Sequence, residues 1–185
     1  MLRTRVGYAG GTSESPTYYS MGDHTEAFSV DFDPKVITYE DLLKKFWDGH
    51  RCERVNFSTQ YKNAIFYRNE AQKAAAMKSR DEVAEKRAYG PGDIKTDIVP
   101  MNSFTYAEEY HQKYSLTRYR ELRAWLLEQY PTAKELADSA VATRLNAYLG
   151  EGMEKNWPTF EKEVDSYGLP AKFLDEIEDT LRRRR

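Results

Sequence analysis

Cysteine is almost absent from this chain: its 185 residues contain one, Cys52. A single thiol excludes an intrachain disulfide and any cysteine-based zinc cluster, and it is the usage expected of a reducing compartment. Histidine is nearly as scarce. His24, His50 and His111 stand far apart with no ligand spacing, so no metal site is expected. Charge of one sign is missing too. The 28 Lys and Arg against 30 Asp and Glu leave a net charge of −2, which gives no electrostatic footing for nucleic acid. No apolar run approaches the roughly 20 residues that a membrane-spanning helix needs. The opening residues, Met1-Leu-Arg-Thr-Arg-Val6, lack the apolar stretch of a secretory signal. Together these absences predict a cytoplasmic globular protein with no nucleic-acid or membrane partner.

Tyrosine is abundant instead, with 14 residues. A phenol couples an apolar face to a hydroxyl, so it suits either amphipathic packing or a pocket for a small polarised group. Composition divides the chain into residues 1–114, rich in Tyr and Phe, and 115–185, rich in Glu, Lys and Arg and helical in pattern. In the first part Leu2–Tyr8 predicts a strand ended by Gly10-Gly11. Phe28, Val30 and Phe32 alternate with polar or small residues, which predicts a strand with one buried face. Thr38 with Asp41 marks the start of a helix whose apolar face carries Leu42, Leu43, Phe46 and Trp47. Ala64–Tyr67 reads as a strand, and Asn69 with Gln72 as a capping box opening a helix over 70–86. Tyr89-Gly-Pro-Gly92 breaks it before a last strand over Ile94–Val99. In the second part helices are expected over 116–129 and 132–149, split by Pro131. An interruption at Gly150 and Gly152 follows, then a helix with Pro158 in its first turn, and a last helix ending in Arg182–Arg185.

Five short motifs fall in order along residues 3–116. They are Thr4-Arg-Val-Gly-Tyr-Ala-Gly-Gly11, Pro16-Thr-Tyr18, Asp23-His-Thr-Glu26, Ser58-Thr-Gln-Tyr61 and Tyr106-Ala-Glu-Glu-Tyr-His-Gln112. In sequence and order they resemble the A class of peptide methionine sulfoxide reductases, with a shortened loop between Tyr18 and His24. The resemblance implies an α+β fold, a ferredoxin-like two-layer sandwich, followed here by a helical extension over 115–185. It implies thiol-dependent reduction of methionine-S-sulfoxide, protein-bound or free, as repair of oxidative damage. No bound cofactor is implied, only an external thioredoxin-type reductant as partner.

Residue by residue, Glu26 matches the family's acid in Gly-His-Ala-Glu, which protonates the sulfoxide oxygen. A carboxyl group is neutral near pH 7 only where its surroundings disfavour the charged form. Tyr18 and Tyr61 match the two tyrosines that hydrogen-bond the same oxygen, a role akin to an oxyanion hole. Tyr19 is the neighbouring rival of Tyr18. Where the family pattern Asp-His-Gly-Thr-Gln-Tyr has a substrate-binding Asp, this chain has Asn56, which keeps an acceptor, loses the charge and adds donors. Cys52, between Arg51 and Arg54, is expected to be an inert thiol, with a resolving role as the alternative.

The family's nucleophile lies in a Gly-Cys-Phe-Trp stretch well upstream of the Gly-Tyr-x-Gly-Gly motif, whereas Met1 stands six residues before Gly7. The expectation is therefore an incomplete gene product without the N-terminal strand and helix, with selenocysteine at the nucleophile as a specific candidate cause. An inactive pseudoenzyme that keeps the pocket as a sulfoxide-binding or interaction module is the alternative.

Overall fold

The computed structural model describes residues 1–56, 58–150 and 153–182, apart from the side chains of Glu154 and Leu181. Phe57, Gly152 and the arginines 183–185 named above lie outside the described residues. Strands and helices are mixed along the chain, an α+β architecture. Two compact units are present: one is Met1 with Val6–Ala107, the other Leu2–Arg5 with the chain from Glu108 onward.

The first unit contains two small sheets. Strands β1 (Arg3–Ala9), β2 (Thr25–Asp31) and β5 (Phe104–Tyr106) form one, in the order β2-β1-β5. Its β1–β5 pair is antiparallel, with Gly7 opposite Tyr106 and Ala9 opposite Phe104. Strands β3 (Ala64–Tyr67) and β4 (Asp97–Pro100) form a parallel pair, Ala64 opposite Asp97 and Tyr67 opposite Pro100. Parallel strands need a crossover, and α2 (Glu70–Lys86) lies within it. The helix starts where the side chain of Asn69 accepts the Gln72 amide; Gln72 in turn accepts from Arg68 rather than from Asn69. Helix α1 (Tyr39–Asp48) opens on a complete capping box between Thr38 and Asp41. It turns Leu43 and Trp47 inward against Ile65, Ala76 and Cys52, while Tyr8, Met21 and Ala107 form a separate small cluster.

Two expectations change here. The alternation along β2 does not bury Phe28, which is 62% exposed: that face borders a cavity of about 540 Å³ lined by β2, α1 and β3. The strand expected over 94–99 begins only at Asp97. The Lys95 amide is taken by the Cys52 carbonyl at 2.7 Å, and pairing toward β3 starts with Asp97 N–H to Asn63 O at 3.0 Å.

The second unit is helical. A 3-10 turn over Tyr114–Arg118 leads into α3 (Arg120–Gln129), then α4 (Ala133–Asp138), α5 (Ala140–Tyr148), α6 (Met153–Glu163) and α7 (Ala171–Arg182). The helix expected over 132–149 is cut in two at Ser139, whose hydroxyl caps α5 by accepting the Ala142 amide. Helix α6 begins at Met153, so Pro158 falls inside it rather than in its first turn. Leu116, Leu122, Leu126, Leu136, Leu145 and Leu149 meet Phe160, Phe173 and Ile177 in one contiguous core. Among the described residues of this unit one charged side chain is buried: Lys113, 4% exposed and left-handed at φ 53°. Its ammonium donates to the Thr4 carbonyl and hydroxyl, the Ala137 carbonyl at 2.9 Å and the Thr143 hydroxyl at 2.7 Å. Burial, and then the positive charge of Arg5, pulls its pKa down to about 8 against the opposing pull of Asp138. Among the described residues no helix is long and apolar enough to cross a membrane.

Candidate active site

Glu26 is the second residue of β2 and is partly buried. The strand is tied to the 3-10 turn Thr59–Tyr61 by the Thr25 hydroxyl, which donates to the Thr59 carbonyl at 2.8 Å. That tie brings Gln60 to the acid: Gln60 Nε2 donates to Glu26 Oε1 at 2.8 Å. The same amide bonds the Tyr61 hydroxyl, and Tyr61 is hydrogen-bonded to Tyr18. Four side chains from three segments are thus joined in one chain of polar contacts, Tyr18–Tyr61–Gln60–Glu26. The bond to Tyr18, then burial and the charges of Tyr18 and Glu26, raises the pKa of Tyr61 above the ordinary tyrosine value. A neutral phenol is the form that donates, and the raised pKa keeps Tyr61 in that form.

Tyr18 is half-buried against Tyr8 and Met21, whereas Tyr19 is 90% exposed and stacks edge-on against Tyr18 at 5.4 Å between ring centres. Asn56 sits beside the site, but its amide donates to the Tyr61 carbonyl, so that donor holds the turn. Cys52 lies elsewhere, fully buried with Leu43, Trp47, Ile65 and Ala76. Its neighbouring cation is Arg87, which donates to Sγ at 3.4 Å and to the Trp47 carbonyl at 2.8 Å, rather than the flanking Arg51 or Arg54. Gln60 was not singled out from sequence. Its signal was its place in Ser58-Thr-Gln-Tyr61, one residue before a candidate donor.

The loop between β1 and β2 carries Tyr18, and its base is closed by polar contacts. His24 is buried; its Nδ1 accepts the Gly11 amide at 3.3 Å and its Nε2 donates to the Ser13 carbonyl at 2.9 Å. Gly11 lies so close to this ring that a Cβ there would stand 2.5 Å from it, which excludes any side chain.

The family model for peptide methionine sulfoxide reductase matches residues 1–143. The chain belongs to the A-type peptide methionine sulfoxide reductase family. A peptide methionine sulfoxide reductase from Drosophila melanogaster is 42% identical over 172 residues, covering 91% of this chain and 66% of the relative. The reductase MsrA of Methanosarcina acetivorans is 44% identical over 123 residues, 62% of this chain and 65% of the relative. The chain therefore spans just under two thirds of the length of these curated relatives. Among solved structures, methionine sulfoxide reductase A of Corynebacterium diphtheriae superposes with a TM-score of 0.54 at 32% identity, over 62% of each chain. Reduced Mxr1 from Saccharomyces cerevisiae gives 0.53 at 29% identity, over 62% of this chain and 70% of its own. In this reductase family member, Tyr18, Gln60, Tyr61 and Glu26 come from segments inside the matched range.

Proposed function

We propose that this chain carries the sulfoxide-binding and proton-donating half of a thiol-dependent methionine-S-sulfoxide reductase. The observation that supports the reading is the hydrogen-bonded series Tyr18–Tyr61–Gln60–Glu26, which links two phenols and a carboxyl group. A sulfoxide oxygen seated there accepts from the tyrosine hydroxyls and takes the proton of Glu26. A thiol attacks the sulfur, oxygen passes to the thiol as a sulfenic acid, and methionine leaves. A second thiol then condenses with the sulfenic acid to give a disulfide and water, so two thiol hydrogens and the oxygen end as water. Cys52 is buried in a separate cluster, so the reacting thiols are other than Cys52, and a thioredoxin-type partner in a reducing compartment such as the cytoplasm suits the second step.

The same reading extends to the fold. The consecutive residues Glu26–Val30 of β2 and Asn63–Phe66 around β3 both border the 540 Å³ cavity, and a lone two-stranded parallel sheet is a marginal structure. A strand laid in that cavity would join the two sheets into one ferredoxin-like layer.

Titrating N-acetyl-methionine-(S)-sulfoxide amide into the isotope-labelled chain tests the pocket. Resonances of Tyr18, Glu26, Gln60 and Tyr61 should shift, the R epimer should bind more weakly, and Cys52→Ser should change nothing. With dithiothreitol as external thiol, Glu26→Gln should slow reduction of the bound sulfoxide by about 10²–10⁴-fold, since Gln donates a hydrogen bond but no proton. Equal binding of both epimers, or shifts elsewhere only, would sink the reading.

A further inference from the structure

We propose that Asp23 is a positioning residue for the tyrosine pair of this site: its carboxylate closes the base of the loop that presents Tyr18 and so holds Tyr18 against Tyr61. The inference rests on the reading of the pocket given above and adds a residue that the sulfoxide itself need not touch.

The loop runs from Gly11 to Asp23, and its two ends are laced together by one carboxyl group. Asp23 Oδ2 accepts the Thr12 amide at 2.8 Å and the Thr12 hydroxyl at 2.9 Å. Oδ1 accepts the Thr12 amide at 2.9 Å, the Ser13 amide at 3.0 Å and the Ser13 hydroxyl at 2.8 Å. Two successive backbone N–H groups pointing at one anion make an anion-binding concavity, here filled by the chain's own side chain. These bonds, the Ser13 backbone first and its hydroxyl next, hold the Asp23 carboxyl far below the usual carboxylate range, so it is charged throughout the working pH range. The fit is close at the preceding residue as well. Gly22 is left-handed at φ +60°, and a Cβ there would stand 2.2 Å from the Ser13 hydroxyl. Within the loop, Thr17 and Ser20 exchange both backbone hydrogen bonds at 3.1 Å, which sets Tyr18 and Tyr19 at the tip. Pro16 and Met21 are buried on either side, and Tyr18 packs on Met21 and Tyr8. Closing the base therefore decides which way the tip faces. In the family's Gly-His-Ala-Glu pattern a glycine occupies this position and provides no such carboxylate.

The test is made on the full chain, with tyrosine ring carbons labelled and followed by NMR against pH. In the unaltered protein the Tyr61 titration midpoint should lie above that of a free tyrosine, because its proton is engaged with Tyr18. Asp23→Ala removes the carboxylate that accepts from Thr12 and Ser13 and leaves only the His24 contacts at the loop base, and Gly22→Ala forces the two ends apart by strain and collision with Ser13. Both should bring the Tyr61 midpoint down toward the free value while the amide spectrum stays folded, and Asp23→Asn, which keeps one oxygen, should shift it by less. Affinity for N-acetyl-methionine-(S)-sulfoxide amide should weaken about tenfold in Asp23→Ala. A folded Asp23→Ala protein with an unmoved Tyr61 midpoint overturns the proposal. A Tyr61 midpoint that moves in a protein that never binds the sulfoxide would retain Asp23 as the clamp of the tyrosine pair and reject the pocket's function instead.

Discussion

The two units bury their apolar residues in different ways. The helical unit gathers six leucines, two phenylalanines and an isoleucine, among others, into one core, with Leu116, Leu122, Leu126, Leu136 and Leu145 at 0% exposure. The unit that carries the candidate site has two small clusters instead, around Trp47 and around Tyr8. Several of its larger apolar side chains, Phe28, Val30, Phe46 and Phe66 among them, border an open cavity. An amphipathic helix buries its stripe once another helix lies alongside. A sheet needs a continuous set of strands before its faces close, and here the strands are divided between two sheets.

The largest test of that contrast is Leu126→Ala. Truncating a fully buried leucine in a contiguous core removes its transfer free energy and leaves a cavity, for about 2–5 kcal/mol. Urea denaturation followed by helical circular dichroism should show this loss, and a loss below about 1 kcal/mol would mean that the helical core is looser than its burial implies.

Lys113→Met comes next and asks whether the helical unit depends on this buried charge. The variant leaves the Ala137 carbonyl and the Thr143 hydroxyl without the donor they share, at about 1–3 kcal/mol for a bared buried acceptor. The pH dependence gives a second handle. The folded pKa of about 8 lies below the value of 10.5 for a free lysine. Below pH 8 both states are protonated and the group contributes no slope. Between pH 8 and 10.5 the unfolded chain binds the extra proton, so stability rises with pH through this group. The stability gap between the native chain and Lys113→Met should therefore widen from pH 8 to pH 10. A gap that narrows would mean that the four acceptors hold the ammonium charged in spite of burial.

The smallest effect is expected at Phe28→Ser. A phenylalanine in a strand would ordinarily cost several kcal/mol to replace, but Phe28 is 62% exposed and should cost within about 0.5 kcal/mol. A large loss in thermal denaturation would show that the cavity face is closed in solution, and the contrast between the two units would shrink accordingly.

What could be read from the sequence was local. The capping pair Thr38 and Asp41, the Asn69 cap of α2 and the extent of that helix over 70–86 depend on bonds three or four residues apart, and each stands where the sequence placed it. The motif order also led to the family, since short recognisable segments survive in one chain without any knowledge of their packing. The third strand of the larger sheet was not legible: Phe104–Tyr106 is three residues long and takes its strand character from pairing with β1, about a hundred residues earlier. Nor was the break at Ser139, where a side-chain cap ends one helical pattern and begins another. Tertiary structure alone joined Gln60 to Glu26 across 34 residues, and Lys113 to Thr4 across 109. It also turned Tyr18 inward and Tyr19 outward, although the two are adjacent and identical. Sequence periodicity and capping act through contacts within one turn or one strand, whereas which side chains share a site depends on how the loops between them close.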